Sequence, residues 1–278
     1  MIELPLKAES INIGPHNTAT NPTLREDART LARGIFKNEE KADNFASHLL
    51  DICTKAKGKD ILFVHNPGGW GHSPTDRCLE WERGIVVGVK AAVEEMGHSI
   101  LLTQYFRSGG GWREVMRDLR EQFRFFSSKA DVMAAWLRFI MSHVNGIKVI
   151  LIGVSQGAAF GNAVMQRLGG HYPVYSIELG FPFQYKSRLA ITERTLAIEG
   201  NGIRPDVLVQ GNIWVGARII MAAPFKWTWY RLRGKPVAFA HCVTAPGHEY
   251  DWSNPGIQMR IRDFLESNFG VKEGMAGI

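Results

Sequence analysis

Ser155 lies in Gly153-Val154-Ser155-Gln156-Gly157, followed by Ala158 and Ala159. A serine with glycine two residues away on both sides is what a very sharp turn from strand to helix requires. Such a turn forces the serine backbone into strain and leaves no room for neighbouring side chains. It also lifts the hydroxyl into the open and sets the Gln156 amide at a helix N-terminus, where an oxyanion can accept from it. A bare G-x-S-x-G arises by accident in a glycine-rich chain. Here an apolar, β-branched run from 148 to 153 precedes it and a helical pattern follows it, as the motif demands.

A serine hydroxyl is a weak nucleophile at neutral pH and needs a base within hydrogen-bond reach. Of nine histidines, only His171, His241 and His248 follow Ser155. His171 precedes its strand, at the wrong edge of a sheet. His241 falls inside the apolar run VAFAHCV and reads as a buried, satisfied side chain. His248, in the loop Ala245-Pro246-Gly247-His248-Glu249-Tyr250 just past the last strand, is the favoured base. Chain order serine, acid, histidine leaves Glu178, Glu193, Glu199 and Asp206 to orient the imidazole. Glu193 precedes its strand. Asp206, in a Gly/Pro loop over 200–206, is preferred, with Glu178 and Glu199 as alternatives. Arg204 beside it offers a plain surface ion pair instead.

A second glycine-rich turn follows a strand over 60–64: His65-Asn66-Pro67-Gly68-Gly69-Trp70-Gly71-His72. Backbone N–H groups in such a loop can hold a phosphate or an oxyanion. A phosphate loop would carry a lysine and a hydroxyl after its last glycine, and neither is present. The oxyanion role gains accordingly.

These pieces need a scaffold. Apolar patterning predicts strands over 60–64, 98–106, 148–153, 172–179, 195–199 and 236–243. Between and around them it predicts helices over 24–37, 41–55, 77–96, 112–125, 130–144, after Ser155, over 207–223 and over 255–269. Alternating strands and helices call for an α/β fold: a mostly parallel central sheet with helices on both faces and ligands beyond the C-terminal strand ends. Every motif above lies at such an end. Residues 1–58 read as a looping arm with two short helices, and 59–278 as the catalytic domain.

Composition narrows the class. At 278 residues with a net charge of +6, the chain is long enough for one large domain. Its basic groups over 113–124 and 226–235 lack the stacking aromatics and binding module of a nucleic-acid site, so they read as solvated helix faces. Cys53, Cys78 and Cys242 are widely spaced, which fits a reducing compartment. The N-terminus has no secretory pattern, and the most apolar stretch, 213–232, is interrupted by Arg218, Pro224, Lys226 and Arg231. The expectation is a soluble, cytoplasmic protein, without nucleic-acid partner or membrane insertion and with its oligomeric state open. No cofactor is implied. No metal is expected either, because His65 and His72, or His241 and His248, are seven apart without a third ligand nearby.

Over about residues 59 to 270 the sequence resembles the α/β-hydrolase superfamily. The resemblance rests on Gly153-Val154-Ser155-Gln156-Gly157, on the strand and loop ending His65-Asn66-Pro67-Gly68-Gly69, and on His248 after the final strand. The S-Q-G elbow is similar to that of cutinases and phage mycolyl-arabinogalactan esterases. The resemblance implies an eight-stranded type of sheet, of which six strands are readable. It implies Ser155 as nucleophile, His248 as general base and acid, and Asp206 or a rival carboxylate as third member. Many members place the second oxyanion donor directly after a histidine-glycine pair. Here Asn66 and Pro67 follow His65 and proline has no N–H, so the donor moves to Gly68 or Gly69, acting with Gln156. The implied reaction is hydrolysis of a small-molecule carboxylic ester through an acyl-enzyme. One alternative is a thioesterase or acyltransferase that grips an anionic carrier with Arg107 or with basic residues near the mouth. Another is a non-catalytic binding member of the fold. The segment Trp214 to Trp229 reads as core in preference to an acyl-pocket lining or a lid at a lipid surface.

Overall fold

In the computed structural model the residues described are 22–109, 112–200, 206–211, 213–234, 242 and 247–270. Five parallel strands form one sheet in the order β2-β1-β3-β4-β5: β1 (Ile61–Asn66), β2 (Ile100–Gln104), β3 (Lys148–Val154), β4 (Val174–Leu179) and β5 (Thr195–Ile198). Order 2-1-3-4-5 is a doubly wound arrangement. It places a crevice at the carboxyl end of the sheet, where the connections from β1 and β3 diverge. The sixth expected strand, 236–243, lies outside the described residues apart from Cys242.

Alternation along each strand sorts side chains onto two faces, each covered by its own helices. Leu62, Val64, Val149, Leu151 and Val174 face one layer. That layer comprises α1 (Pro22–Ile35), α2 (Glu39–Ala56), α5 (Ser127–His143) and α6 (Gln156–Leu168). Ile61, Phe63, Ile150, Ile152, Ile177 and Leu179 face α3 (Glu80–Glu95) and α9 (Pro255–Phe269) on the other side. A further helix, α4 (Trp112–Phe123), follows β2.

The two helices expected within 1–58 are present, and both belong to the first layer. Leu24, Ala28 and Ala32 of α1, with Phe45, Leu49 and Ile52 of α2, share the core of Trp136 and Phe160. Local signals set their limits. Asn38 caps α2 by accepting from the Lys41 amide (2.9 Å), and Glu39 and Glu40 favour its positive end.

Two expectations change near residue 211. The single helix anticipated over 207–223 is split into α7 (Val207–Gln210) and α8 (Ile213–Leu232). Gly211, at φ 74°, ends the first as only glycine does without strain. The apolar segment reaching Trp229 is also core only in part: Ala223 is buried, but Met221, Phe225 and Trp229 are exposed. Hydrophobic composition suggested burial, but no described element covers that side of α8.

Candidate active site

β3 turns into α6 through Ser155 at φ 52°, ψ −117°, a conformation that L residues rarely hold. Both flanking glycines are sterically required. A methyl on Gly153 would lie 2.3 Å from the Gly157 carbonyl carbon, and one on Gly157 would lie 2.1 Å from the Asn66 oxygen. The Ser155 amide donates to the Leu179 carbonyl (2.8 Å), so the turn is tied to the end of β4.

The chain leaves β4 through Gly180 at φ 62°, and upon Gly180 sit the two side chains favoured as base and acid. A methyl there would lie 2.7 Å from His248 Cε1 and 2.9 Å from both His248 Nδ1 and Asp206 Oδ2. His248 Nδ1 and Asp206 Oδ2 are 2.6 Å apart. Asp206 is the N-cap of α7, its Oδ1 accepting from the Leu208 amide (2.9 Å), and Tyr250 donates its hydroxyl to Oδ2 (2.6 Å). Burial alone would push the Asp206 carboxyl up. The hydrogen bonds and charge of His248, with those from Tyr250 and Leu208, outweigh it and hold the group below its usual range. An ionised Asp206 fixes the proton of His248 on Nδ1, which leaves the Nε2 lone pair free to accept one. Trp81 packs edge-on to the imidazole, with ring centres 6.1 Å apart.

The rival carboxylates are engaged elsewhere. Glu178 is fully buried toward α6, accepting from Asn162 (3.0 and 3.1 Å) and from Ser176 (3.0 Å); burial pushes its carboxyl up to about 8 despite those bonds. Glu199 makes a surface ion pair with Lys186 at 3.3 Å. Arg204 and His241 lie outside the described residues.

The loop after β1 is held from two sides. Glu82 Oε1, on α3, accepts from the Gly68 amide (3.0 Å) and from His65 Nε2 (3.1 Å). Gln104, oriented by accepting from the Thr75 amide, donates its Nε2 to His65 Nδ1 (3.1 Å), which puts the imidazole proton on Nε2, toward Glu82. From the other side Arg107 donates Nη1 to Pro67 O and Nη2 to Gly69 O, both at 2.7 Å. Gly71 comes so close that a methyl on it would lie 2.7 Å from the guanidinium carbon. The Gly68 carbonyl accepts from the Gly71 amide (3.0 Å). With its amide committed to Glu82, Gly68 is occupied as a donor in this conformation. The Gly69 amide has no acceptor among the described residues.

Arg107 departs from expectation. The sequence offers it as a cation near the mouth for an anionic carrier, yet it is 0% exposed. Asp118 lies within ion-pair distance of it (Nε to Oδ1, 4.0 Å), a carboxylate shared with Lys129 at 2.6 Å. Gly180, Tyr250, Glu82 and the loop-holding role of Arg107 were not singled out from the sequence. Two weak signals existed: Tyr250 lies two residues beyond His248, and Glu82 lies in the first turn of the helix that follows the glycine-rich loop.

No group of three or more His, Cys, Asp or Glu suited to a metal occurs among the described residues, and no described helix is long and apolar enough to cross a membrane. Fold and geometry together define a doubly wound α/β protein with a strained strand-turn-helix serine and a histidine-aspartate pair at the same end of the sheet. Neither a protein-family model nor a curated protein matches the chain. Among solved structures it is similar to Trichoderma reesei cutinase in complex with a C11Y4 phosphonate inhibitor, with 14% identity, a TM-score of 0.42, and coverage of 87% of this chain and 90% of that one.

Proposed function

We propose that the protein is a serine hydrolase of the α/β-hydrolase type, cleaving carboxylic esters through an acyl-enzyme on Ser155. The observation that carries this reading is convergence on the end of β4: the Ser155 amide bonds to Leu179, and the His248–Asp206 pair rests on Gly180, the next residue.

In this mechanism His248 Nε2 removes the Ser155 proton as Oγ attacks the ester carbonyl, and Asp206 steadies the imidazolium through Nδ1–H. The carbonyl oxygen takes up negative charge and accepts hydrogen bonds from the Gln156 amide, at the start of α6, and from the Gly69 amide. Collapse of the tetrahedral intermediate breaks the C–O bond, and His248 returns its proton to the departing alcohol. A water, deprotonated by His248 in turn, then releases the acid and restores Ser155. The carrier-gripping alternative loses its named cation, since Arg107 is buried under the loop.

The test is labelling with a fluorophosphonate probe, with Ser155→Ala as control, together with turnover of p-nitrophenyl esters of graded acyl length. Stoichiometric labelling lost in Ser155→Ala and ester turnover are expected. A correctly folded protein that neither labels nor turns over any ester refutes the reading.

A further inference from the structure

We propose that α8 is a docking surface for an anionic lipid interface. Met221, Phe225, Trp229 and Leu232 recur at helical spacing and are exposed by 66, 78, 55 and 80%. At about 100° per residue these four form a stripe on one side of α8; Ala223, fully buried, lies roughly opposite, and Tyr230, near the Ala223 side but further along, is 40% exposed. From Pro224 to the end of the helix nearly every residue is exposed, so this half of α8, with the four apolar side chains on it, stands clear of the other described elements. Large aromatic and aliphatic side chains gathered in one exposed row signal contact with another apolar phase, unlike the isolated exposed leucines of ordinary surfaces.

Charge decides which phase. From 207 to 248 the chain holds no Asp or Glu, but it carries Arg218, Lys226, Arg231, Arg233 and Lys235. Those five account for most of the net charge of +6 of the whole chain. Lys226 and Arg233 flank the stripe on one side and Arg231 on the other. Arg231 lies over the Trp227 ring (4.1 Å) and Arg233 over the Trp229 ring (4.3 Å). Basic groups bordering an apolar row, with tryptophans beneath them, match a surface carrying negative headgroups above hydrocarbon. The charges and Pro224 suit the helix to lying in such an interface rather than crossing it.

The helix stands in the connection between Asp206 and His248. The docking itself is independent of catalysis. Its consequence, that the preferred esters are lipid-borne, rests on the serine-hydrolase reading.

Co-sedimentation of the full chain with phosphatidylglycerol and with phosphatidylcholine vesicles tests the docking. Binding to the anionic vesicles, weakened by salt and by phosphatidylcholine, is expected. Phe225→Glu and Leu232→Glu, both at exposed positions, should each lower it by at least about tenfold while leaving the melting temperature unchanged. Absence of binding to phosphatidylglycerol at moderate salt overturns the proposal. So does a stable dimer that Phe225→Glu converts to monomer, because the stripe then joins two copies of the chain. Vesicle binding without ester turnover sustains the docking and sinks only the hydrolase reading.

Discussion

Gly180→Ala puts the geometry of the site under direct strain. The added methyl would meet His248 Cε1 at 2.7 Å and Asp206 Oδ2 at 2.9 Å. Carbon atoms in ordinary contact stay about 3.5–4.0 Å apart, so the imidazole must retreat by roughly 1 Å. A displacement of about 1 Å in a reacting group costs on the order of 10²-fold in rate. The substitution also carries a backbone penalty of roughly 1–2 kcal/mol, because alanine is disfavoured at the φ of 62° found there. Gly58→Ala isolates that second effect. Gly58 has φ 72°, but a methyl on it would meet nothing within 4 Å. Gly180→Ala should lose at least as much stability in urea unfolding as Gly58→Ala, and only Gly180→Ala should lose kcat, by about 10²-fold, with slower fluorophosphonate labelling. If Gly180→Ala turns over ester as fast as Gly58→Ala, the imidazole on Gly180 is not the base that serves Ser155.

Four further outcomes follow from contacts in and around the site. Asp206→Asn removes the charge that fixes the His248 tautomer and should lower kcat by roughly 10⁴-fold. Tyr250→Phe, which deletes one hydrogen bond to Oδ2, should cost about tenfold or less; both are read from ester kinetics. Glu178 gives a stability signal with the opposite sign to an ordinary paired carboxylate. Its pKa rises from 4.5 to about 8 on folding, so the native state holds a proton that the unfolded chain releases. The resulting stabilisation is complete below about pH 4.5 and is lost as pH rises toward 8. Glu178→Gln should flatten that slope in urea midpoints measured from pH 5 to 8; an unchanged slope refutes the assignment. Arg107→Lys keeps a charge but cannot bond the Pro67 and Gly69 carbonyls together, so kcat should fall by at least about tenfold with little change in KM.

The parts of this molecule that were legible in its sequence are those fixed by short-range rules. The run before Ser155 had to be a buried strand because its residues are apolar and β-branched, and the glycines at 153 and 157 could serve only a turn too tight for a Cβ. Asp206 rests on a looser rule, a carboxylate in a Gly/Pro loop beyond a strand end, and its Oδ2 lies 2.6 Å from His248 Nδ1. What was not legible depends on partners far away in sequence. Nothing local distinguishes the positive φ of Gly180, or shows that Glu178 turns toward Asn162 rather than toward His248. Composition even misdirected the reading of α8, because apolar content predicts burial only when another element is present to bury against.

Arg107 shows why charged residues are the hardest of these to read. A lone arginine defaults to the surface, since removing its charge from water costs several kcal/mol unless partners replace the solvent. Here Asp118, shared with Lys129, stands 4.0 Å from it, and the two carbonyls it binds belong to residues 40 and 38 positions earlier. Lysine would neutralise the same carboxylate, but only a planar fork presents two N–H groups at fixed separation to the Pro67 and Gly69 oxygens. Those two peptide units flank the one whose nitrogen belongs to Gly69. Pinning the carbonyls on either side constrains how that amide can rotate, so a buried ion pair outside the reacting atoms sets the direction of a candidate oxyanion donor. The glycines make the loop able to adopt its shape, and Arg107 with Glu82 selects that shape from the many that glycine permits.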